Sequence, residues 1–508
     1  MIVPRMDRSR PRELVVVALV STILLLPTLT YGFGFDHGFM QYIGRGLLHG
    51  LWPYVDTFDT SFPAVYVLHM AVIAIGGESV LALRIADLLI QIGTTLLLFI
   101  LARRIYGPRA GFLAAALYAI AYTAGTYYHT AQRDGYLVPC LLACLWGIWI
   151  YLDDPTRRQP LIWAALAAGI GCLFRPTYAL LVVIGALALA SRRKRARDIA
   201  DAALFAAVAA LPIFAFFGIY AITGHGRAIA DLLTFAGSVY VGLERQARSV
   251  VLMRFWDYVP LVVWLGVVLT IVAAVRGQFG AHRRELWTLA LVFLGCVLIR
   301  LWESKGWRYQ YWPPLAVLCL AAGLGWGWVA RNRLAFGAVA VLVLGLALGR
   351  TGLTRYTHWT PMPMVADSPD QEAMAEYLHG HAQPSDRIQM WGPETIVLFA
   401  SGARSATRFI DTNMFFCPDP KNFHHLLLFT DCPNWNKPIQ VAFLREMLDT
   451  LTAHPPTYIA AHYANGSMTI DTTYCLAPDL PALRDLIDRK YQRAATFGPW
   501  SVFKLANP

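Results

Sequence analysis

The chain has 508 residues, 57% hydrophobic and 15% charged, with a mean hydropathy of +0.47. Soluble domains carry about 25% charged residues, so this composition, broken into repeated long apolar runs, excludes a soluble fold and indicates a polytopic α-helical membrane protein. The net charge of +11 resides mostly in short loops between those runs, which is a topology signal and argues against nucleic acid as a partner.

Arg5, Arg8, Arg10 and Arg12 precede a first apolar run at about 14–33. They place the N-terminus in the cytoplasm, and with no small-residue cleavage site following, the run is expected to stay as an anchor. The stretch 34–63 then lies outside. It combines Asp36, Asp56 and Asp59 with Trp52, Tyr54 and several glycines, a composition suited to a folded loop and to a catalytic floor. The run 63–75 is short and follows Pro63, so it reads as a re-entrant or interfacial helix. Spans follow at about 79–102, 109–127, 136–152, 160–174, 176–191, 199–222, 258–275, 285–301, 313–330 and 334–349, about eleven with the first. The densest basic loops (103–109, 192–197, 276–284 and 331–333) all fall on the N-terminal side, and the odd count puts the tail outside. Residues 223–258 read as a long outer loop carrying Arg227, Arg245, Arg248 and Arg254.

The expected organisation is thus a transmembrane catalytic domain, 1–350, and a smaller outer-face α/β domain, 351–508. In the tail, Ser368-Pro369-Asp370-Gln371 is a capping box opening a helix to about His381. A strand at 387–391, a helix at 394–401 stopped by Gly402, a helix at 438–453, a strand at 457–461, a helix at 481–490 and a final hairpin about Gly498-Pro499 complete it. It holds no phosphate loop, nucleophile elbow or metal-spaced Cys/His cluster. Five cysteines fall in apolar runs and read as small buried hydrophobes. If the tail lies outside the cytosol, Cys417 and Cys432 are the natural disulfide pair, with free thiols as the alternative.

Several residues admit both a bland and a chemical reading. Asp36 is either the cap of a juxtamembrane helix or a general base for an acceptor hydroxyl. Asp56 and Asp59 suit an Asx-turn that shapes the loop. Asp134 either pairs with Arg133, caps the next helix, or serves as a second acidic group. Arg84 and Asp87, three apart in one span, are expected to pair. Arg175, Lys305, Arg308 and the arginines of 223–258 lie on the outer face among Trp and Tyr, as interface anchors or as phosphate ligands. The carboxylates are isolated, so a divalent cation is neither required nor forbidden.

The segment DHGFMQYIGRGLLHGLWPYVDTFDTSFPAVYVLH, from Asp36 to His69, resembles the first outer loop of the GT-C membrane glycosyltransferases. Among these the resemblance is to the bacterial aminoarabinose and mannose transferases and the rhizobial lipopolysaccharide galacturonosyltransferases. Arg84, the run Gln132-Arg133-Asp134, and Ser304-Lys305-Gly306-Trp307-Arg308-Tyr309 before Pro313-Pro314 resemble later family segments in the same order. The resemblance implies a sugar transfer from a polyprenyl-phosphate donor to a hydroxyl of a glycolipid, an envelope glycan or a protein, at the outer face of the bacterial inner membrane. It makes Asp36 and Asp134 the candidate catalytic acids. His37, Tyr54, Asp56, Asp59, Arg175, Lys305, Arg308 and Tyr309 become candidate substrate ligands. Two departures stand out: His37 occupies the place of the family's usual Glu, and Thr60-Ser61-Phe62 lacks the basic residue often found beside Pro63. The alternative reading is a transporter or flippase of a lipid-linked sugar. It fits less well with nearly charge-free spans at 199–222 and 313–330 and with the lack of an internal repeat.

Overall fold

A computed structural model describes residues 10–190, 196–242, 245–351, 360–366, 368–392, 394–412, 417–418, 437–462, 474–475 and 480–506. Helices α1 (Arg10–Leu25), α2 (Phe35–Leu48), α3 (Ala64–Gly76), α4 (Val80–Tyr106), α5 (Pro108–Thr123), α6 (Thr126–His129) and α7 (Arg133–Asp153) form the first half of the bundle. Helices α8 (Gln159–Phe174), α9 (Ala179–Ala190), α10 (Ala196–Ile222), α11 (Gly226–Phe235), α12 (Arg248–Tyr258), α13 (Leu261–Val275), α14 (Arg283–Glu303), α15 (Trp312–Val329) and α16 (Arg333–Thr351) complete it.

Among the described residues six helical segments are long and apolar enough to cross a membrane, and the α12–α13 pair, bent by 94°, makes a seventh. The other expected spans are shorter: α8, α9 and α16 are apolar helices below full span length, and α5 has 16 residues. At 1.5 Å per residue α5, α8 and α9 reach roughly 18–24 Å, and the 19 residues of α16 about 28 Å, against a hydrocarbon core of about 30 Å. The break between α8 and α9 falls at Arg175-Pro176, where the proline cannot continue the helical ladder. The expected loop 223–258 is instead largely helical, as α11 and α12. α15 is the central span, with 83% of its apolar window enclosed. It packs on α4, α5 and α13, and Gly325 lets it approach the backbone of α13 at Gly266, where a Cβ has no room.

The stretch 34–63 joins the bundle to the C-terminal part. α2 packs on α18 (Thr395–Ala400), with Gly38 pressed on the backbone of Ile396. Arg45 donates to the carbonyls of Phe399 (3.1 Å) and Ala403 (3.3 Å). Farther along, Phe58 N–H donates to the Arg408 carbonyl, and Arg408 returns a bond to the Tyr54 carbonyl while pairing with Glu446. Phe58, Phe235 and Phe443 share one core, each ring contributing roughly 1.5–3 kcal/mol through burial.

The C-terminal part also contains α17 (Pro369–His381), α19 (Pro438–Ala453) and α20 (Leu480–Lys490). Its main sheet has the order β2-β1-β4-β7-β6, with β1 Arg387–Trp391, β2 Arg404–Ser405, β4 Tyr458–His462, β6 Tyr491–Phe497 and β7 Trp500–Leu505. β1 runs parallel to β2 and β4, whereas β7 is antiparallel to β4 and β6. The expected elements of the tail are all present, but Ser368 occupies the N-cap of α17 without a side-chain capping bond. Strands β3 (Cys417–Pro418) and β5 (Tyr474–Cys475) form a second, antiparallel ladder with Cys417 opposite Cys475. Cys432, the expected partner of Cys417, lies outside the described residues.

Candidate active site

The first turn of α2 carries Asp36, which is buried. α2 begins here because His37 closes its N-terminus: Nδ1 accepts from Gly34 N–H (2.8 Å), and Nε2–H donates to the Thr130 carbonyl (2.9 Å). Burial and then the nearby Arg84 charge hold the imidazole well below its usual pKa, so it stays neutral. Both ring nitrogens are therefore used within the fold, and His37 acts as a cap rather than the substrate ligand expected.

Three more expected ligands are likewise engaged in shaping the loop. Asp56 accepts from Trp52 N–H (2.6 Å). Asp59 accepts from Ser61 N–H (3.1 Å) and from the Tyr66 hydroxyl. The Tyr54 ring is fully buried, its hydroxyl donates to the Ser61 carbonyl (2.7 Å), and its φ of 66° marks a tight turn. Short carboxylates two to four residues from a free backbone N–H favour such local closure.

Asp36 lies close enough to Arg133 and Tyr309 to act on both electrostatically. Arg133, opening α7, donates to Ser61 Oγ and to the Tyr240 hydroxyl (3.3 Å). Lys305 is buried. Its Nζ donates to the Tyr240 carbonyl (3.0 Å) and sits 3.2 Å from the centre of the Tyr240 ring. One carboxylate, an arginine, a lysine and two tyrosines are thereby gathered from α2, α7, the turn before α12 and the segment before α15.

Asp134 belongs to a different, buried ion cluster. Arg175 Nη1 donates to it at 2.8 Å, while Arg133 stands 3.9 Å away. Arg175 also makes a two-pronged contact with Glu303 (3.0 and 2.6 Å), and Glu303 further receives Thr177 (2.6 Å) and Arg300 (2.8 Å). The charge of Arg175 is thus already balanced by two carboxylates. The expected pairing of Arg84 with Asp87 is not seen. Arg84 donates to the carbonyls of Tyr31, Gly32 and Tyr127 and to Thr130 Oγ1, while Asp87 accepts from Tyr122 and Gln91. Unfilled carbonyls between helical segments offer the guanidinium more bonds than one carboxylate three residues along.

Beside the Asp36 group opens a cleft of about 430 Å³. Leu117, Ile120, Val262 and Leu315 give it an apolar wall, and His129, Arg254, Asp257 and Arg308 edge it with polar groups. Arg308 is exposed to it, and Arg254 donates to the Gly306 carbonyl at 3.4 Å. His129 connects the two places: its ring centre is 6.4 Å from that of Tyr309. Burial, then the Arg308 charge, pushes the His129 pKa down to about 4, so its ring is neutral beside the arginines. An apolar wall ending in two arginines suits a lipid chain with an anionic head. Among the described residues no three His, Cys, Asp or Glu side chains converge as a metal cage.

Arg254 was among the outer-face arginines expected as anchors or phosphate ligands, whereas His129, Arg300 and Glu303 were not singled out for chemistry from the sequence. The available signal was positional: Glu303 and Arg300 close an apolar run immediately before Ser304-Lys305, and intramembrane ionisable groups are functional candidates by default.

Comparison with known proteins supports the same family as the sequence. A family model described as dolichyl-phosphate-mannose-protein mannosyltransferase matches residues 61–220. The undecaprenyl phosphate-alpha-4-amino-4-deoxy-L-arabinose arabinosyl transferase 1 of Pseudomonas fluorescens is 28% identical over 374 residues, covering 68% of this chain and 65% of that protein. The chain thus spans about 65% of the length of the curated relative it matches. The crystal structure of ArnT from Cupriavidus metallidurans bound to undecaprenyl phosphate superposes with a TM-score of 0.64 at 14% identity, covering 99% of this chain and 100% of that one. The archaeal oligosaccharyltransferase AglB from Archaeoglobus fulgidus, in complex with an inhibitory peptide and a dolichol-phosphate, gives a TM-score of 0.53 at 12% identity, covering 89% of this chain and 70% of that one. At such identities the two solved structures establish a common fold.

Proposed function

We propose that this chain, which has the GT-C fold and resembles the aminoarabinose transferases, moves a sugar from a polyprenyl-phosphate carrier to a hydroxyl acceptor at the outer face of the bacterial inner membrane. The observation that carries this reading is the junction of the apolar, arginine-edged cleft with the buried Asp36 through Tyr309 and His129. The solved relative named with undecaprenyl phosphate, and the relative whose name includes that carrier, support a lipid of this class as donor.

In this reading the carrier chain lies along Leu117, Ile120 and Leu315, with its phosphate at Arg254 and Arg308. Asp36 accepts the proton of the acceptor hydroxyl, whose oxygen attacks the anomeric carbon. The bond from that carbon to the phosphate oxygen breaks, and its electron pair leaves with the polyprenyl phosphate. Arg308 and Arg254 stabilise the developing charge. Arg133 adds positive potential beside Asp36, and Lys305 is joined to Arg133 through Tyr240. Asp134 and Arg175 act from their ion cluster by fixing the start of α7 rather than by touching the phosphate. The orientation follows the positive-inside rule: the basic loops face the cytoplasm, and the α/β part, 351–508, faces the periplasm over the loop 34–63. The eleven-span count belongs to the same proposal, with the short helices α5, α8, α9 and α16 completing it. The acceptor is a hydroxyl of a glycolipid such as lipopolysaccharide, of an envelope glycan or of a protein.

The test is reconstitution of the purified protein in liposomes with radiolabelled polyprenyl-phosphate sugars and an envelope glycolipid fraction. Label moving from carrier to acceptor supports the transferase. Carrier crossing the bilayer with its sugar bond intact supports the flippase instead.

A further inference from the structure

At the opposite end of the bundle from Asp36, α7, α9 and α14 enclose a second groove of about 190 Å³. Its walls are almost wholly aliphatic, with Leu145 and Ile148 from α7, Ile184 and Ala188 from α9, and Leu291 from α14. It follows α7 from Leu141 to Leu152, about 16 Å at 1.5 Å per residue, a length that matches much of a fatty acyl chain. The single hydroxyl on its wall, Thr288, is occupied: it accepts from Trp149 Nε1 (2.8 Å) and donates to the Glu285 carbonyl (2.8 Å). The groove therefore offers a dry apolar slot.

Among the described residues one cation, Arg284, stands at its mouth. Four neighbouring arginines at this end are matched by acids: Arg103 by Glu13 (2.7 Å), Arg104 by Asp153 (2.7 Å) and Glu285 (3.2 Å), Arg157 by Asp154 (3.2 Å), and Arg158 by Asp201 (2.7 Å). Arg284 is exposed and, among the described residues, has no acid within ion-pair distance; its contact is to the Leu152 carbonyl at 3.4 Å. This end also bears the densest basic loops, the signature of the leaflet rich in anionic lipid.

We infer that this groove is a binding site for an anionic phospholipid of the inner leaflet, one acyl chain lying between α7, α9 and α14 and the phosphate meeting Arg284. The site is separate from the donor cleft, and its occupancy does not depend on the transferase reading.

The experiment is native mass spectrometry of the full chain released from detergent after equilibration with equal amounts of dioleoyl phosphatidylglycerol and dioleoyl phosphatidylcholine. The wild type retains phosphatidylglycerol at least fivefold over phosphatidylcholine. Arg284→Gln, a surface change, brings the ratio to near one, Arg284→Lys restores most of it, and Ala188→Phe, which fills the slot, lowers retention of both lipids. Equal retention of the two lipids by the wild type overturns the inference. So does an undiminished phosphatidylglycerol preference in Arg284→Gln, or displacement of the bound phospholipid by added undecaprenyl phosphate.

Discussion

Replacing Glu303 by Gln tests whether the ion cluster at the α7–α9–α14 junction is what holds the site segment in place. Glu303 receives two bonds from Arg175 and one each from Arg300 and Thr177. The amide keeps the shape but removes the charge. That leaves two buried guanidiniums facing one carboxylate, Asp134, which lies 2.8 Å from Arg175 and 3.9 Å from Arg300. Removing one partner of a buried pair costs about 3–5 kcal/mol, because the other charge stays desolvated. Glu303 directly precedes Ser304, which turns the chain at a φ of 53°, and then Lys305. The loss should therefore loosen the Lys305–Tyr309 segment as well. The assay is thermal unfolding of the purified protein in one fixed detergent, with Glu78→Gln as control. Glu78 pairs with Arg45 at 3.2 Å but is 43% exposed, so its loss should cost no more than about 1 kcal/mol. Glu303→Gln should lower the Tm by several degrees and the control should barely move it. A Glu303→Gln midpoint within about 1 °C of wild type would refute the cluster's structural role.

Arg254→Ala and Arg308→Ala should each weaken binding of undecaprenyl phosphate about tenfold or more, in line with the ~1.5–3 kcal/mol of a charge-assisted bond; unchanged affinity in both, by scintillation proximity, removes the phosphate from this cleft. His37→Ala strands the Gly34 N–H and the Thr130 carbonyl, so it should destabilise by about 1–3 kcal/mol while leaving the donor KM unchanged; a raised KM without lost stability would return His37 to the substrate. His129, with its pKa held down at about 4, contributes stability that is full above pH 6.5 and declines as pH falls from there toward 4, because the unfolded imidazole takes a proton before the folded one does. That interval is worth about 3 kcal/mol at ~1.4 kcal/mol per pH unit, and His129→Gln should flatten this part of the stability–pH curve; an unchanged curve would contradict the burial argument.

Much of the fold was readable because it depends on local chemistry. Apolar run length located the spans, and turn residues such as Gly402 and Gly498, both at positive φ, bounded the elements of the tail. What failed did so where tertiary contacts decide. Residues 223–258 carry enough charge to read as a loop, yet α11 sets an apolar face, including Ile229, Leu232 and Phe235, against neighbouring elements and becomes helix. Apolar run length also did not give helix length: the run 109–127 holds a helix, α5, of 16 residues, most of them buried by neighbouring helices. The site showed the same division. Asp36 and Lys305 were visible as charges at span boundaries. The distant partners of Asp134 were not, since Arg175 and Arg300 lie 41 and 166 residues away along the chain, and long-range pairing leaves no local pattern. Asp56 and Asp59 were legible as loop-shaping residues because their hydrogen bonds close within a few residues.

The central claim is that Asp36 activates the acceptor at the end of a carrier-binding cleft. It is tested most directly by measuring donor binding and sugar transfer on the same preparation of Asp36→Asn. The account predicts wild-type affinity for the polyprenyl-phosphate donor and a transfer rate lowered by about 10²–10⁴, the usual contribution of a positioned general base. Near-normal transfer by Asp36→Asn, with the donor bound as in wild type, would contradict it.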